Sequence, residues 1–100
     1  MALVLALGEG DDFYVGHTRV VVSRIVSDDH FVLSRLSPQG AEHFDIVDDR
    51  VQEIMPDVFV SAGNRAHTGM ARVAVDAPRA LTILRGDTYR RSYGPERASA

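Results

Sequence analysis

Cysteine, lysine and long hydrophobic runs are missing from this sequence. The absence of cysteine excludes disulfide bonds, thiolate catalysis and zinc sites built on cysteine. The apolar run Leu3–Leu7 has no basic segment before it, and it is too short for a signal peptide or a membrane span. We therefore expect a cytoplasmic protein with no membrane partner.

Because lysine is absent, the basic side chains other than histidine are all arginine guanidinium groups, which suit bidentate contacts with phosphates or base edges. Residues 1–57 carry eleven acidic residues and four arginines, whereas residues 58–100 carry seven arginines and three acidic residues. The formal net charge of −3 argues against non-specific binding to nucleic acid, but it permits a local basic site. The alternative is a solvated, arginine-rich face without a partner.

The pattern of short apolar runs separated by turn residues predicts a single all-β domain. A hydrophobic share of 45% beside 25% charged residues is ordinary for a globular chain. Leu3–Leu7 is continuously apolar, as in a strand covered on both faces. We expect seven or eight short strands and a short helix that begins near Gly86. The strands are expected within 3–7, 13–15, 18–26, 31–36, 43–47, 51–60, 70–75 and 81–84.

Two separated groups of motifs resemble one family of small regulators. Residues 75–79 read Val-Asp-Ala-Pro-Arg, and residues 83–89 include Ile-Leu-Arg-Gly-Asp followed by Tyr89. Near the N-terminus stand Leu3-Val4-Leu5, then Gly10-Asp11, then Phe-Tyr-Val-Gly at 13–16. In order and spacing these segments resemble the carbon storage regulator (CsrA/RsmA) family of dimeric RNA-binding translational regulators.

The resemblance implies a small interlocked β-barrel or sandwich dimer, in which the first strand of one chain lies beside the last strand of the other. It implies a single domain over residues 1–91, and the small and turn-forming residues of 92–100 predict a flexible tail after it. Residues 27–69 depart from the family pattern, and their strand-like patterning indicates an insertion of extra strands that extends the core. The insertion is also a possible binding surface for a protein partner.

The resemblance further implies that each dimer holds RNA hairpins whose loops display GGA. Leu5 would be a contact from the first strand, residues 77–79 would form the corner near the RNA, and Arg85 would match the key C-terminal arginine of the family. Candidates to replace the cations that this chain lacks are Arg90, Arg91 or an arginine of the insertion, Arg35, Arg50 or Arg65. The expected RNA-binding residues are Leu5, Ala77, Pro78, Arg79, Arg85 and Arg90.

Three positions depart from the family at this site. Leu7 and Gly8 stand where the family usually has a basic pair, so phosphate contacts should be lost. Gly86 occupies a position that is often acidic in the family. For Arg85, a salt bridge to Asp87 or a solvated strand end is the alternative to RNA contact.

The residues offer little support for catalysis or metal binding. The four histidines, at positions 17, 30, 43 and 67, show no ligand spacing, and the paired aspartates lack the pattern of a calcium loop. We expect no enzyme, no metal and no cofactor. The first hypothesis is an RNA-binding translational repressor, and the second is a related scaffold that has lost most RNA contacts and binds protein. An unrelated small β-barrel is the third.

Overall fold

The structure, a computed structural model, describes residues 2–27, 29–48, 50–63 and 70–93. These residues form nine strands and one helix, which confirms the all-β class. In chain order they are β1 Ala2–Gly8, β2 Asp12–Val15, β3 Thr18–Ser27, β4 His30–Ser37, β5 Gly40–Val47, β6 Gln52–Met55, β7 Val58–Ala62, β8 Met70–Asp76, β9 Ile83–Arg85 and α1 Gly86–Tyr93.

The strands form two antiparallel sheets around one hydrophobic core. The first sheet has the order β1-β8-β7-β6, and the second has the order β5-β4-β3-β2-β9. Alternate residues of each strand point to the same face, so the inward positions of both sheets meet in a shared core. This core contains Phe13, Val20, Val22, Phe31, Leu33, Ile46, Ile54, Val58, Val60, Val73 and Val75, among others.

β1 lies at the edge of its sheet, and only one of its two faces is covered. It pairs with β8 over its whole length, from Ala2 opposite Asp76 to Gly8 opposite Met70. Leu5 and Leu7 point into the core, whereas the side chain of Val4 is 51% exposed on the opposite face. The expectation drawn from the continuous apolar run is therefore not met within the single chain.

β2 is buried on both faces, because α1 covers the face that points away from the core. Phe13 and Val15 point inward, and the outward side chains of Asp12 and Tyr14 are also buried. β9 pairs with β2, with Phe13 opposite Arg85. Because α1 directly follows β9, it packs on the outer face of β2.

The insertion contributes to both sheets. Its first two strands, β4 and β5, continue the second sheet beyond β3, and β6 and β7 complete the first sheet beside β8. β6 and β7 are joined at Pro56 and Asp57, and the positive φ of Asp57, 64°, allows this tight turn. The proline that interrupts the predicted 51–60 segment thus marks a hairpin rather than a single broken strand.

The strand pairing within the chain differs from the pairing that the family resemblance implies between chains. The first strand, β1, pairs with β8, and the last strand, β9, pairs with β2. The two strands therefore lie in different sheets of one chain. No closed barrel is formed by the strands that the structure describes.

The C-terminal helix is longer than expected. α1 includes Ser92 and Tyr93, which the sequence assigns to a flexible tail, and residues 94–100 of that tail lie outside the described residues. The connection over 64–69 also lies outside them. Within the described ranges, no helix is long and apolar enough to span a membrane.

Candidate nucleic-acid interface

The residues expected to bind RNA fall into buried and accessible groups. Leu5 and Ala77 are buried, so their side chains belong to the core and only their backbone groups are candidates for contact. Pro78, Arg79 and Arg85 are exposed, and Arg90 is half-buried. Three of the six residues are thus exposed.

Two recesses bring five of these residues to opposite ends of β1. The first, of about 230 Å³, is lined by Leu3, Ala77, Pro78, Arg79, Leu81, Thr82 and Ile83. The second, of about 160 Å³, is lined by Leu7, Asp11, Asp12, Arg85, Gly86, Asp87 and Arg90. Leu5 lies between Leu3 and Leu7 on the same strand. The expected site residues therefore follow one edge of the molecule.

Arg85 is available for binding at this edge. The side chain is exposed at the end of β9, and it forms no ion pair with any of the described residues. The alternative partner, Asp87, lies 3.7 Å from Arg91 in an ion pair and accepts a hydrogen bond from the backbone N–H of Thr88 at 2.9 Å. Of the two alternatives to RNA contact, the salt bridge between Arg85 and Asp87 is therefore absent among the described residues, whereas an exposed strand end is what the structure has.

Arg90 is instead committed to Asp12. Its Nη1 donates to Oδ2 of Asp12 at 2.8 Å, and its Nη2 donates to Oδ1 at 3.2 Å. Nε of Arg19 donates to the same carboxylate at 2.7 Å. Two guanidinium groups thus share one carboxylate, which leaves a net positive charge and fixes α1 to β2 and β3.

The Asp12 carboxyl group is buried, with 6% of the residue exposed. Burial alone would raise its pKa, because burial disfavours the charged form. The hydrogen bonds and charges of Arg90 and Arg19 outweigh that effect and hold the pKa of Asp12 below its ordinary value. The same pairing raises the pKa of Arg90 above its usual value. The ion group is therefore charged throughout the physiological range.

The close approach of Asp12 to Gly86 explains why residue 86 is a glycine and not an acidic residue. A Cβ atom at residue 86 would lie 1.7 Å from Oδ1 of Asp12 and 2.4 Å from its Cγ, so no other side chain fits without a shift. The buried carboxylate of Asp12 lies where that side chain would be. The departure at Gly86 and the ion group at Asp12 are two parts of one arrangement.

An aromatic cluster supports the same helix. The rings of Tyr14 and Tyr89 stack with centroids 3.7 Å apart, and Tyr93 packs against Tyr89 at 4.7 Å. Nδ1 of His17 lies 2.6 Å from the hydroxyl oxygen of Tyr89. This cluster positions α1 and, at its start, the end of β9 that carries Arg85.

Leu7 and Gly8 leave the end of β1 without a cation. Leu7 is buried in the core, and the backbone N–H of Gly8 donates to Oδ2 of Asp11 at 2.8 Å. A carboxylate therefore lies where the family resemblance implies basic side chains. The second recess contains both this carboxylate and the guanidinium of Arg85, so its electrostatic potential is not uniformly positive.

The remaining polar groups mainly link strands of the second sheet. Oγ of Ser34 lies 2.7 Å from Nδ1 of His43 and also contacts Oγ of Ser23, and Nε2 of His30 lies 3.3 Å from Asp45. In the described part of the chain, no group of three or more histidine, aspartate or glutamate side chains is placed to hold a metal ion. His67 lies outside that part.

No family model, curated protein or solved structure matches this chain. The likeness to the carbon storage regulator family therefore rests on the sequence motifs themselves. It stays a prediction from the sequence.

Proposed function

We propose that this chain is an RNA-binding post-transcriptional regulator of the carbon storage regulator type. It recognises GGA-containing hairpin loops in messenger RNA or a small regulatory RNA, and it represses translation in the cytoplasm as a homodimer. The observation that carries this proposal is the position of Arg79 and Arg85, two exposed guanidinium groups, in recesses at the two ends of the edge strand β1.

The edge of β1 offers backbone recognition between these two arginines. β1 is the terminal strand of its sheet, so its outer N–H and C=O groups pair with none of the described strands. Leu3 and Leu7 are four residues apart, which corresponds to about 13 Å along the strand. Unpaired loop bases are read by backbone and side-chain hydrogen bonds, while arginine contacts phosphate or the acceptor edge of guanine. This edge therefore combines both kinds of contact.

The charges at the site predict weak salt dependence. Asp12 is neutralised by Arg19 and Arg90, but Asp11 and Asp87 remain close to Arg85 in the second recess. If Arg79 and Arg85 each contact one phosphate, the logarithm of the affinity should fall with the logarithm of salt concentration with a slope of about −1.4 per site, from about −0.7 per contact on a single strand.

The proposal is tested by substituting Arg85 with alanine. We expect Arg85→Ala to weaken binding to a hairpin that displays GGA by at least about tenfold, because a charged hydrogen bond contributes about 1.5–3 kcal/mol. The salt slope should become shallower by about 0.7. Fluorescence anisotropy with a labelled hairpin measures both quantities.

Arg24→Ala is the matched control, because Arg24 is an exposed arginine on β3 that lines neither recess. It removes the same charge and should leave affinity nearly unchanged. Equal losses in both variants would show that binding reflects overall charge, and no loss in Arg85→Ala would remove the assigned role.

A protein-binding module is the second candidate function. An open groove of about 380 Å³ between strands of the insertion is lined by Arg35, Glu42, Phe44, Glu53, Ile54, Met55 and Pro56. It combines an apolar floor with the exposed carboxylates of Glu53 and of Glu42, which is paired with Arg35, and this fits an amphipathic segment of a partner. The loss of cations at Leu7 and Gly8 favours this candidate, and specific RNA binding by the intact chain would argue against it.

A further inference from the structure

The outer face of the first sheet carries small and apolar residues at its centre, with one charged residue of each sign on β8 beside them. Alternate residues of β8 are buried in the core, which places Arg72, Ala74 and Asp76 on the outer face. Strand pairing aligns Val4 of β1 and Ser61 of β7 with Ala74. An antiparallel sheet with one solvated face normally alternates between apolar and polar residues. Small and apolar residues occupy the centre of this face instead.

This surface is open in the single chain. Val4 is 51% exposed and Phe59 is 37% exposed, and Val51 lies beside Phe59 with 66% of its surface exposed. α1 packs on β2 and β9 of the other sheet. The continuous apolar run of β1 is the pattern of a strand covered on both faces, and within the described residues the core covers one of them.

We propose that two copies of this chain associate face to face through this surface, with β8 of one copy crossing β8 of the other in antiparallel orientation about a twofold axis at Ala74. A second copy is favoured over other occupants because Arg72 and Asp76 of one copy are complementary to Asp76 and Arg72 of the other. The proposal rests on the proposed function only for the homodimer, to which it gives a face-to-face contact in place of the interlocked one that the resemblance implies, and it does not depend on RNA binding.

The charges fix the orientation of the two copies. Arg72 and Asp76 lie two residues on either side of Ala74, about 7 Å from it in opposite directions along β8. An axis perpendicular to the strands brings Arg72 of each copy opposite Asp76 of the other. An axis parallel to the strands would instead place like charges opposite each other, which is destabilising.

The usual crossing angle of stacked sheets is compatible with these pairs. Aligned sheets cross at about 30°, which displaces groups 7 Å from the axis by about 3.5 Å. An arginine side chain is long enough to absorb this displacement. The exposed carboxylate of Asp76 has several acceptor sites, so it can accept from a guanidinium in addition to its contacts within the chain.

A depression on the face provides space for the incoming arginine. It has a volume of about 250 Å³, and its lining includes Val51, Phe59, Ser61, Ala74 and Asp76. The aliphatic part of Arg72 from the second copy would pack on the apolar lining, while its guanidinium would reach Asp76 beside the Phe59 ring. The depression thus has space and a carboxylate for an arginine side chain.

The sizes of the side chains on β7 and directly after it also fit a twofold contact. Phe59 of β7 pairs with Asp76, and Gly63, directly after β7, donates its backbone N–H to the carbonyl of Arg72 at 2.7 Å. Phe59 and Gly63 therefore lie on opposite sides of the twofold axis. The twofold axis therefore brings the Phe59 ring of each copy toward Gly63 of the other. The largest side chain on the face meets the residue that has none.

This arrangement leaves the edge of β1 accessible. Because the axis runs across the strands, β1 of one copy lies over β1 of the other, and the two candidate RNA edges lie on the same side of the dimer. The face covers only three to four short strands, so the interface is at the small end of specific interfaces, below about 1,200 Å² in total. We therefore expect association in the micromolar range.

A charge exchange tests the proposal by sedimentation velocity of the full chain from 1 to 500 μM in the absence of RNA. The unmodified chain should show a reversible dimer. Arg72→Asp and Asp76→Arg should each be monomeric, because each places like charges opposite each other twice. An equimolar mixture of the two variants should restore a one-to-one heterodimer, because both cross-copy pairs are then complementary.

Arg24→Asp is the control for charge reversal away from the face, and it should remain dimeric. Ala74→Glu provides an independent variant, since it brings two carboxylates together on the axis and should give a monomer; circular dichroism verifies that each variant is folded. A monomeric unmodified chain at 500 μM would overturn the proposal. So would a dimer that persists in Arg72→Asp and Asp76→Arg, or two monomeric variants that fail to associate when mixed.

Discussion

The contact between Gly86 and Asp12 gives a prediction whose size can be worked out from the structure. Gly86 begins α1 directly against the buried carboxylate, and an added Cβ would lie 1.7 Å from its Oδ1 atom. In Gly86→Ala, either α1 must move away from β2 or the carboxylate must rotate. Rotation would weaken its hydrogen bonds from Arg19 and Arg90.

The expected loss of stability is about 2–3 kcal/mol. Overpacking a filled site costs about 1–3 kcal/mol. Hydrogen bonds to charged groups contribute about 1.5–3 kcal/mol each, and the lower end applies here because both guanidinium groups are about 40% exposed. Alanine recovers at most about 1 kcal/mol through its better helix propensity. For a domain of this size the net loss corresponds to a fall in Tm of about 10–20 °C.

Urea unfolding followed by circular dichroism measures this loss. Gly8→Ala is the matched control, because a Cβ at Gly8 would meet only the flexible side-chain ends of Asp11 and Met70, at 3.3 and 3.6 Å. In an Asp12→Ala background the clash is removed, so Gly86→Ala should be neutral or slightly stabilising there. The reasoning is refuted if Gly86→Ala costs less than about 0.5 kcal/mol in the chain that retains Asp12.

Two further predictions concern acid stability and the insertion. Because the folded-state pKa of Asp12 is lowered, its stabilisation is fully present above the unfolded-state pKa of about 3.9 and is lost as pH falls through the folded-state value. Urea midpoints should therefore fall more steeply below about pH 4 in the unmodified chain than in Asp12→Asn, and equal slopes would contradict this account. Replacing residues 28–68 by a short turn should abolish cooperative thermal unfolding, because Phe31, Leu33 and Ile46 leave the core. A sharp transition in the shortened chain would show that the insertion is dispensable.

The strands could be predicted from the sequence because local patterns encode them. β3 follows from its run of valines, and the break at Pro56, though not the hairpin, follows from a residue that cannot donate a backbone hydrogen bond. The all-β class and the short helix after Gly86 are confirmed for the same reason. These features depend on neighbours within a few positions in the chain.

The partners of each strand and the role of Asp12 could not be predicted in this way. Asp12 and Arg90 are 78 positions apart, so nothing local indicates that they form an ion pair. The exposed position of Val4 depends on the outer face of the first sheet being uncovered, which only the fold reveals. For the candidate site, Arg85 was identified by motif, whereas the commitment of Arg90 to Asp12 required the fold.

The central claim is most directly tested by titrating the unmodified chain into two labelled RNA hairpins of equal length and stem, one with GGA in its loop and one with a scrambled loop. Fluorescence anisotropy at physiological salt measures both affinities. Preferential binding of the GGA hairpin by at least tenfold, about 1.4 kcal/mol, is the predicted result. Equal and weak binding of both hairpins, abolished by moderate salt, would contradict sequence-specific recognition along β1.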